Sequence, residues 1–149
     1  MQSIFHTADR DEIVRRLGTL QPNSPRQWGK MNSAQMLAHC AGALEVACGD
    51  RPKTQAFLGR LLTPFIKSAV LGERPLRRNA PTDPDFVFVD ERDFAVEHRK
   101  LTALIDRFCE RGPDGAASQV HSFFGRLTGD EWGRLTYKHL DHHLRQFSR

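Results

Sequence analysis

The amino-acid sequence predicts an all-α fold, most simply a four-helix bundle with a long crossover that contains an extra helix. Five segments repeat their apolar residues at helical spacing, and the one strand-like run, residues 86–89, is short enough to be an extended part of the crossover. The 149 residues can bury one sizeable core, and they show no internal repeat. We therefore predict a single helical domain over residues 1–149.

The first two helices are predicted from their caps as well as their apolar spacing. Helix one covers residues 8–20, where Asp9 and Glu12 have nearly the spacing of a capping box. A loop with two prolines and a glycine follows. Helix two covers residues 33–48, with Asn32 or the serine after it as N-cap and a Gly-Asp pair as its stop.

The third helix is predicted at residues 54–71, within the connection to the next core helix, and Pro64 is expected to kink it. The stretch "GERPLRRNAPTDPDF" that follows has three prolines and no periodicity. It is typical of a long surface crossover.

The last two helices complete the predicted bundle. Helix four covers residues 91–111 and is followed by a predicted loop at "GPDGAAS". Helix five opens with a capping box from Thr128 to Glu131 and continues to about Phe147.

Composition and charge exclude several classes of partner. The chain is 39% hydrophobic and 27% charged, as in ordinary globular proteins, and no apolar run approaches the ~20 residues of a membrane span. Its first residues lack a signal core, so a cytoplasmic protein without a membrane partner is predicted. The net charge is +4, with basic residues scattered rather than in a stripe with interleaved aromatics, which argues against nucleic acid.

The three cysteines, Cys40, Cys48 and Cys109, lie within helical patterns. Their odd number and the lack of a CxxC pair argue against disulfides and against a cysteine zinc site. We expect small buried side chains rather than nucleophiles.

Two histidines, His139 and His143, lie in the apolar stripe of the last predicted helix, whereas Asp141 and Arg145 are expected to face solvent. Side chains four residues apart stand one above the other on a helix. Buried imidazoles need polar partners, and one divalent ion would satisfy both. The alternative is a histidine pair hydrogen-bonded to backbone or to each other.

A third histidine strengthens the metal hypothesis. His39 falls on the flank of the apolar face of helix two, and facing helices of a bundle commonly build metal sites in this way. His98 shares a face with Phe94 and is either a fourth ligand or, more commonly for such a residue, a boundary histidine.

Other side chains are candidates for assisting chemistry. His142, at the edge of the stripe, and His121, before the last helix, could serve as catalytic acid or base, since imidazole titrates near neutrality. The alternative for His121 is an ordinary loop residue. Gln35 could orient a ligand or a water molecule.

The crossover and the tryptophans have two interpretations each. Arg77 and Arg78 could bind a carboxylate or phosphate, or they could be solvated loop residues. Trp28 and Trp132 could wall a pocket or pack in the core. Motifs such as GxSxG, HExxH, a Walker loop and GxGxxG do not occur in the sequence.

Four stretches, "WGKMNSAQMLAHC", "PLRRNAPT", "HSFFGRLT" and "YKHLDHHLRQF", together resemble one bacterial branch, a domain of unknown function, of the DinB/YfiT-like superfamily of four-helix-bundle metalloproteins. The resemblance covers nearly the whole chain in the right order. It implies a divalent metal, typically nickel or zinc, bound by His39, His139 and His143. It assigns no ligand role to His142 or His98.

The leading functional hypothesis is a metal-dependent enzyme acting on a small molecule. Three neutral ligands leave coordination positions open, as in catalytic rather than structural sites. The resemblance implies hydrolases and transferases that use a low-molecular-weight thiol, with water or a thiolate held on the metal as nucleophile. It also implies that a homodimer is plausible.

Two alternatives stay open. One is a metal-binding or stress-related protein without turnover, because the nearest acidic residues, Glu45 and Glu97, do not clearly face the histidines. The other is a purely structural bundle whose site is vacant.

Overall fold

The structure, a computed structural model, describes residues 1–149 and is mostly helical, as predicted. Its five α-helices and two short antiparallel strands are α1 (Thr7–Gly18), α2 (Ser33–Ala47), α3 (Phe57–Leu71), α4 (Phe94–Ala117), β1 (Val120–His121), β2 (Gly125–Arg126) and α5 (Gly129–Gln146). A single 3₁₀ turn, Pro84–Phe86, lies in the connection between α3 and α4. None of the helices combines the length and hydropathy needed to cross a bilayer.

Helix α2 is the inner element of the fold, since it packs against both α4 and α5 and is buried along nearly its whole length. Its many small residues let neighbouring elements approach closely. At Gly42 a β-carbon would lie 2.6 Å from the Phe86 ring, so only glycine fits there. The predicted cap is confirmed, because Asn32 and Gln35 form a reciprocal capping box at the start of α2. The Gln35 side chain is therefore engaged in the cap at the start of α2.

Helix α1 begins differently from the prediction. It starts at Thr7 with His6 as N-cap, and no side chain caps it, so the capping role expected of Asp9 is wrong. The Asp9 carboxylate instead accepts hydrogen bonds from the Ser3 backbone N–H and the His6 ring. These bonds fasten the N-terminal segment onto the first turn.

A buried ion pair joins α1 to α5. The Arg16 guanidinium, largely buried, contacts the Asp141 carboxylate at 2.8 Å and donates to the Arg149 carbonyl at 2.7 Å. The expectation that Asp141 faces solvent is therefore wrong, and the reason is this pairing across the two helices. Arg145 is exposed as expected and also pairs with Asp141.

Helix α3 lies in the connection between α2 and α4 and packs against α5. It continues through Pro64, and only Gly59 and Leu71 are buried. Phe57 and Phe65 are 83% and 77% exposed, and Leu58 and Leu61 are exposed beside them. The extra helix predicted in the crossover is confirmed, but it presents an uncovered apolar face.

The end of α4 corrects one further expectation, and the small sheet was not predicted. The "GPDGAAS" segment is not simply a loop, because a helical turn resumes at Pro113 after a break at Gly112, which has φ 66°. Glycine adopts that conformation easily, and proline is favoured in the first turn of a helix. The sheet pairs Val120 with Arg126, whereas no strand forms at residues 86–89.

All three cysteines are free. Cys40 and Cys48 are buried and Cys109 is partly buried. Burial raises the pKa of each thiol, so none is a ready thiolate. The expectation of unpaired, core-type side chains is confirmed.

The Arg16 ion pair gives a prediction about stability. Arg16→Ala leaves the Asp141 carboxylate with only its exposed partner, so we expect the free energy of unfolding to fall by about 2–4 kcal/mol. Urea denaturation followed by circular dichroism would measure it. Arg15→Ala, at the exposed neighbouring position, is the matched control and should change stability by less than about 0.5 kcal/mol. Equal effects of the two variants would contradict the assignment.

Candidate metal centre

The structure brings together the three histidines that the sequence predicted as metal ligands. His39 of α2 meets His139 and His143 of α5, and one donor atom from each lies within 4.8 Å of the others. The Nε2 atoms of His39 and His139 are 3.0 Å apart. The ring centroids of His139 and His143 are 4.7 Å apart, as expected for neighbours on one helix face. Such a group could hold a metal ion.

Local structure fixes both helices that carry the group. The capping box of Thr128 and Glu131, predicted from the sequence, starts α5 and is present. Farther along α5, buried Leu140 and Leu144 anchor the turns that carry His139 and His143. Because α5 packs on the inner helix α2, its histidines face His39 inside the protein.

Hydrogen bonds orient two of the three rings. The Nδ1 atom of His39 lies 2.9 Å from the Phe86 carbonyl, which can only accept, so Nδ1 carries the proton. The Nδ1 atom of His143 lies 3.0 Å from Oε1 of Gln146, whose amide nitrogen donates to the Trp28 carbonyl and so fixes the amide orientation. Both histidines therefore present an Nε2 lone pair, the form that ligates metals.

The donor set fits a divalent transition metal. With His39 protonated on Nδ1, its Nε2 lone pair faces His139 at 3.0 Å. Two nitrogens at this separation can share one ion, with bonds of about 2.0–2.1 Å to each. A hydrogen bond donated by His139 to Nε2 of His39 would also suit this distance. In that alternative the buried histidines satisfy each other without a metal. Imidazole ligands suit zinc, nickel, copper and iron.

Burial keeps the rings in the neutral form that a metal requires. Desolvation lowers the pKa of His39, partly offset by its bond to Phe86, and lowers the pKa of His143 to about 3. Burial lowers the pKa of His139 well below its usual range, and its histidine neighbours lower it further. At neutral pH the cluster is uncharged and available to a cation.

His142 lies beside the cluster, with its ring 5.1 Å from that of His143 and 5.6 Å from that of Trp28. Burial lowers its pKa, and the negative charge of Asp141 raises it less. The ring is half-buried and neutral at pH 7.

His121 lies on the small hairpin, where its Nδ1 accepts the backbone N–H groups of Phe123 and Phe124 at 3.0 and 3.1 Å. Its proton therefore belongs on Nε2. Burial lowers its pKa to about 4, and its ring packs 5.5 Å from that of Trp132. Trp132 is itself buried in the core, so its core interpretation is confirmed.

The crossover lies near the half-buried edge of the cluster. The Arg78 guanidinium lies over the Trp28 ring at 4.1 Å, and its charge contributes to lowering the pKa of His142. Unlike Arg16 and Arg92, it forms no ion pair. Arg77 is exposed.

Other candidate residues lie elsewhere. Gln35 bonds Asn32 and the Asp90 carbonyl, so the expectation that it orients a ligand is wrong. His98 bonds the Leu17 carbonyl and is not part of the cluster, in keeping with a boundary histidine. Gln146 was not predicted, although its position one turn after His143 was a usable signal. The Phe86 carbonyl was not predicted either, because a backbone acceptor has no sequence signal.

Comparison with known proteins places the chain in a family. A family model described as "Protein of unknown function (DUF1569)" matches residues 2–149. The chain belongs to this family. No curated protein and no solved structure matches it. The family description assigns no activity, and the feature of this DUF1569 protein that points to a function is the histidine cluster.

Metal content tests the cluster directly. Protein purified without a histidine tag should contain about one divalent ion per chain by elemental mass spectrometry. Replacing His39, His139 and His143 together by Ala should remove the metal, because all three nitrogen donors are lost. His98→Ala is the control and should retain it. Metal-free wild type that stays metal-free in excess zinc and nickel would refute the site.

The depressed pKa of His121 predicts a pH dependence of stability. His121 takes up a proton near pH 6.5 in the unfolded chain, but only near pH 4 in the folded chain. Neutral His121 therefore contributes fully to the free energy of unfolding above pH 6.5, and this contribution is lost as the pH falls towards 4. The loss is about 3 kcal/mol. In His121→Asn an amide oxygen can accept the same backbone N–H groups without titrating.

Urea unfolding of metal-free protein at pH 7 and pH 4 would measure this difference. We expect wild type to lose more stability than His121→Asn between the two pH values. Parallel losses would show that His121 does not titrate as described.

Proposed function

We propose that this protein is a divalent-metal-dependent enzyme acting on a small molecule, either a hydrolase or a low-molecular-weight-thiol S-transferase. The observation that carries the proposal is the convergence of His39, His139 and His143, with donor atoms within 4.8 Å of one another. Three protein ligands leave positions open for substrate, whereas closed structural sites use four. Nickel or zinc is the proposed metal. When bound, such an ion polarises a carbonyl and lowers the pKa of a coordinated water or thiol.

His142 is the proposed general base. It is half-buried, next to His143, and its lowered pKa leaves it neutral at pH 7. As a neutral imidazole it keeps one ring nitrogen with a free lone pair. It can accept a proton from an incoming nucleophile and return it to a leaving group.

His121 is the proposed hydrogen-bond donor to the substrate. Because its Nδ1 accepts two backbone N–H groups, its Nε2–H is a hydrogen-bond donor at neutral pH. It could donate to a substrate oxygen or leaving group, but it is not available as a base.

Arg78 is the proposed contact for an anionic group of the substrate. Stacking on Trp28 holds its guanidinium near His142 while its charge stays unpaired. A planar guanidinium binds carboxylate or phosphate through paired N–H groups.

The finer classification of the fold is also a proposal. Helices α1, α2, α4 and α5 would form a four-helix bundle of the DinB-like superfamily, with α3 in the long connection between the second and third core helices. The position of the ligands on α2 and α5 supports this assignment.

A metal-binding or stress-related protein without turnover is the second candidate. The observation in its favour is that no carboxylate belongs to the histidine group. Glu45 and Glu97 form ion pairs elsewhere, with Lys100 and Arg92.

Turnover separates the two candidates. Nickel- and zinc-loaded wild type would be screened against carboxylic esters and against thiol-transfer substrates. We expect activity that is lost in His139→Ala and retained in His98→Ala. His142→Gln should lower kcat by about 10²–10⁴-fold while metal content is unchanged.

The outcomes have distinct meanings. Turnover that persists in the metal-free triple histidine variant would contradict the enzyme proposal. Bound metal with no turnover of any substrate class would favour the binding protein.

A further inference from the structure

A cavity separate from the histidine cluster lies between α2, the start of α4 and the segment before it. It has a volume of about 360 Å³. None of the three clustered histidines lines it. Its lining includes Glu45, Arg51, Phe88, Arg92, Glu97 and Lys100. A cavity of this size can hold a small organic molecule.

Glu97 leaves one carboxylate oxygen of this cavity without a partner. The residue is only 8% exposed. Its Oε1 accepts a hydrogen bond of 3.3 Å from Arg92, whereas its buried Oε2 has no hydrogen-bond partner. A buried charged acceptor without a donor destabilises the folded state. A ligand that supplied an N–H donor at Oε2 would remove this cost.

The two glutamates lie deeper in the cavity than Lys100 and Arg51. The Glu45 side chain is 16% exposed, whereas the Lys100 side chain is 47% exposed. The Lys100 ammonium pairs with the Glu45 carboxylate at 2.6 Å. Arg51 also pairs with Glu45 and lies at the surface. The interior therefore favours positive charge, and the cations at the rim are already partnered.

The neighbouring groups restrict which cation fits. Arg92 already occupies the face of Phe88, with its guanidinium 4.3 Å from the ring centre, so that ring is not free to bind a quaternary ammonium. Oε2 of Glu97 is an acceptor, and a partner for it must carry an N–H hydrogen, which a quaternary ammonium lacks.

We propose that this cavity binds a small organic molecule carrying a primary ammonium or guanidinium group, which donates a hydrogen bond to Oε2 of Glu97. The proposal is independent of the metal centre and of the proposed enzyme function. It explains why a buried, half-partnered carboxylate lines this cavity.

Binding of simple probes tests the proposal on the full-length, metal-free protein. Butylammonium and butylguanidinium would be titrated while ¹H–¹⁵N chemical shifts are followed, with butanol as the uncharged control. We expect saturable shifts for at least one cation, at residues near Glu97 and Lys100. Glu97→Gln should weaken binding at least tenfold, and His139→Ala should leave it unchanged.

Thermal unfolding without ligand checks that Glu97→Gln remains folded. Because the amide keeps an oxygen that can accept from Arg92 and removes a buried charge that is only half-partnered, the midpoint should stay the same or rise. A fall of more than about 5 °C would assign Glu97 a structural role and overturn the proposal.

Three binding results would also overturn it. They are no saturable shifts up to about 10 mM of either cation, equal binding to wild type and Glu97→Gln, and equal binding of butanol and the cations.

Discussion

The close approach of two imidazole nitrogens from α2 and α5 is the constraint on which the candidate site depends. At 3.0 Å, the Nε2 atoms of His39 and His139 require a proton or a cation between them. The Phe86 carbonyl already fixes the His39 proton on the opposite side of the ring. The pair is therefore either hydrogen-bonded through the His139 Nε2–H or bridged by a cation, because burial keeps both rings in the neutral form.

The crossover between α3 and α4 contributes more to the site than its irregular backbone suggests. Its carbonyl at Phe86 holds His39, and its Arg78 stacks on Trp28, whose ring lies beside that of His142. A connection with little regular structure has free backbone acceptors, because they are not used in helix or sheet bonds. The crossover therefore orients side chains that the helices alone would leave free to rotate.

The parts of the structure set by local spacing were predictable from the sequence. His139 and His143 share a face because four residues make about one helical turn, and the Thr128 capping box follows from the same logic. Contacts set by the tertiary path were not predictable, as with the Phe86 carbonyl and the unpartnered oxygen of Glu97. Asp9 is an intermediate case. An acidic residue near the start of α1 was evident from the sequence, but its carboxylate accepts a hydrogen bond from the preceding segment and does not cap the helix.

The unequal spacing of the three ligands along the chain has a consequence for folding. Two lie on one helix, whereas His39 and His139 are 100 positions apart. An incompletely folded chain with only α5 formed would already offer two ligands, and gaining the third requires closing a long loop. Metal would then bind the unfolded ensemble appreciably, so free metal would stabilise the native state by less than the affinity of the complete centre implies.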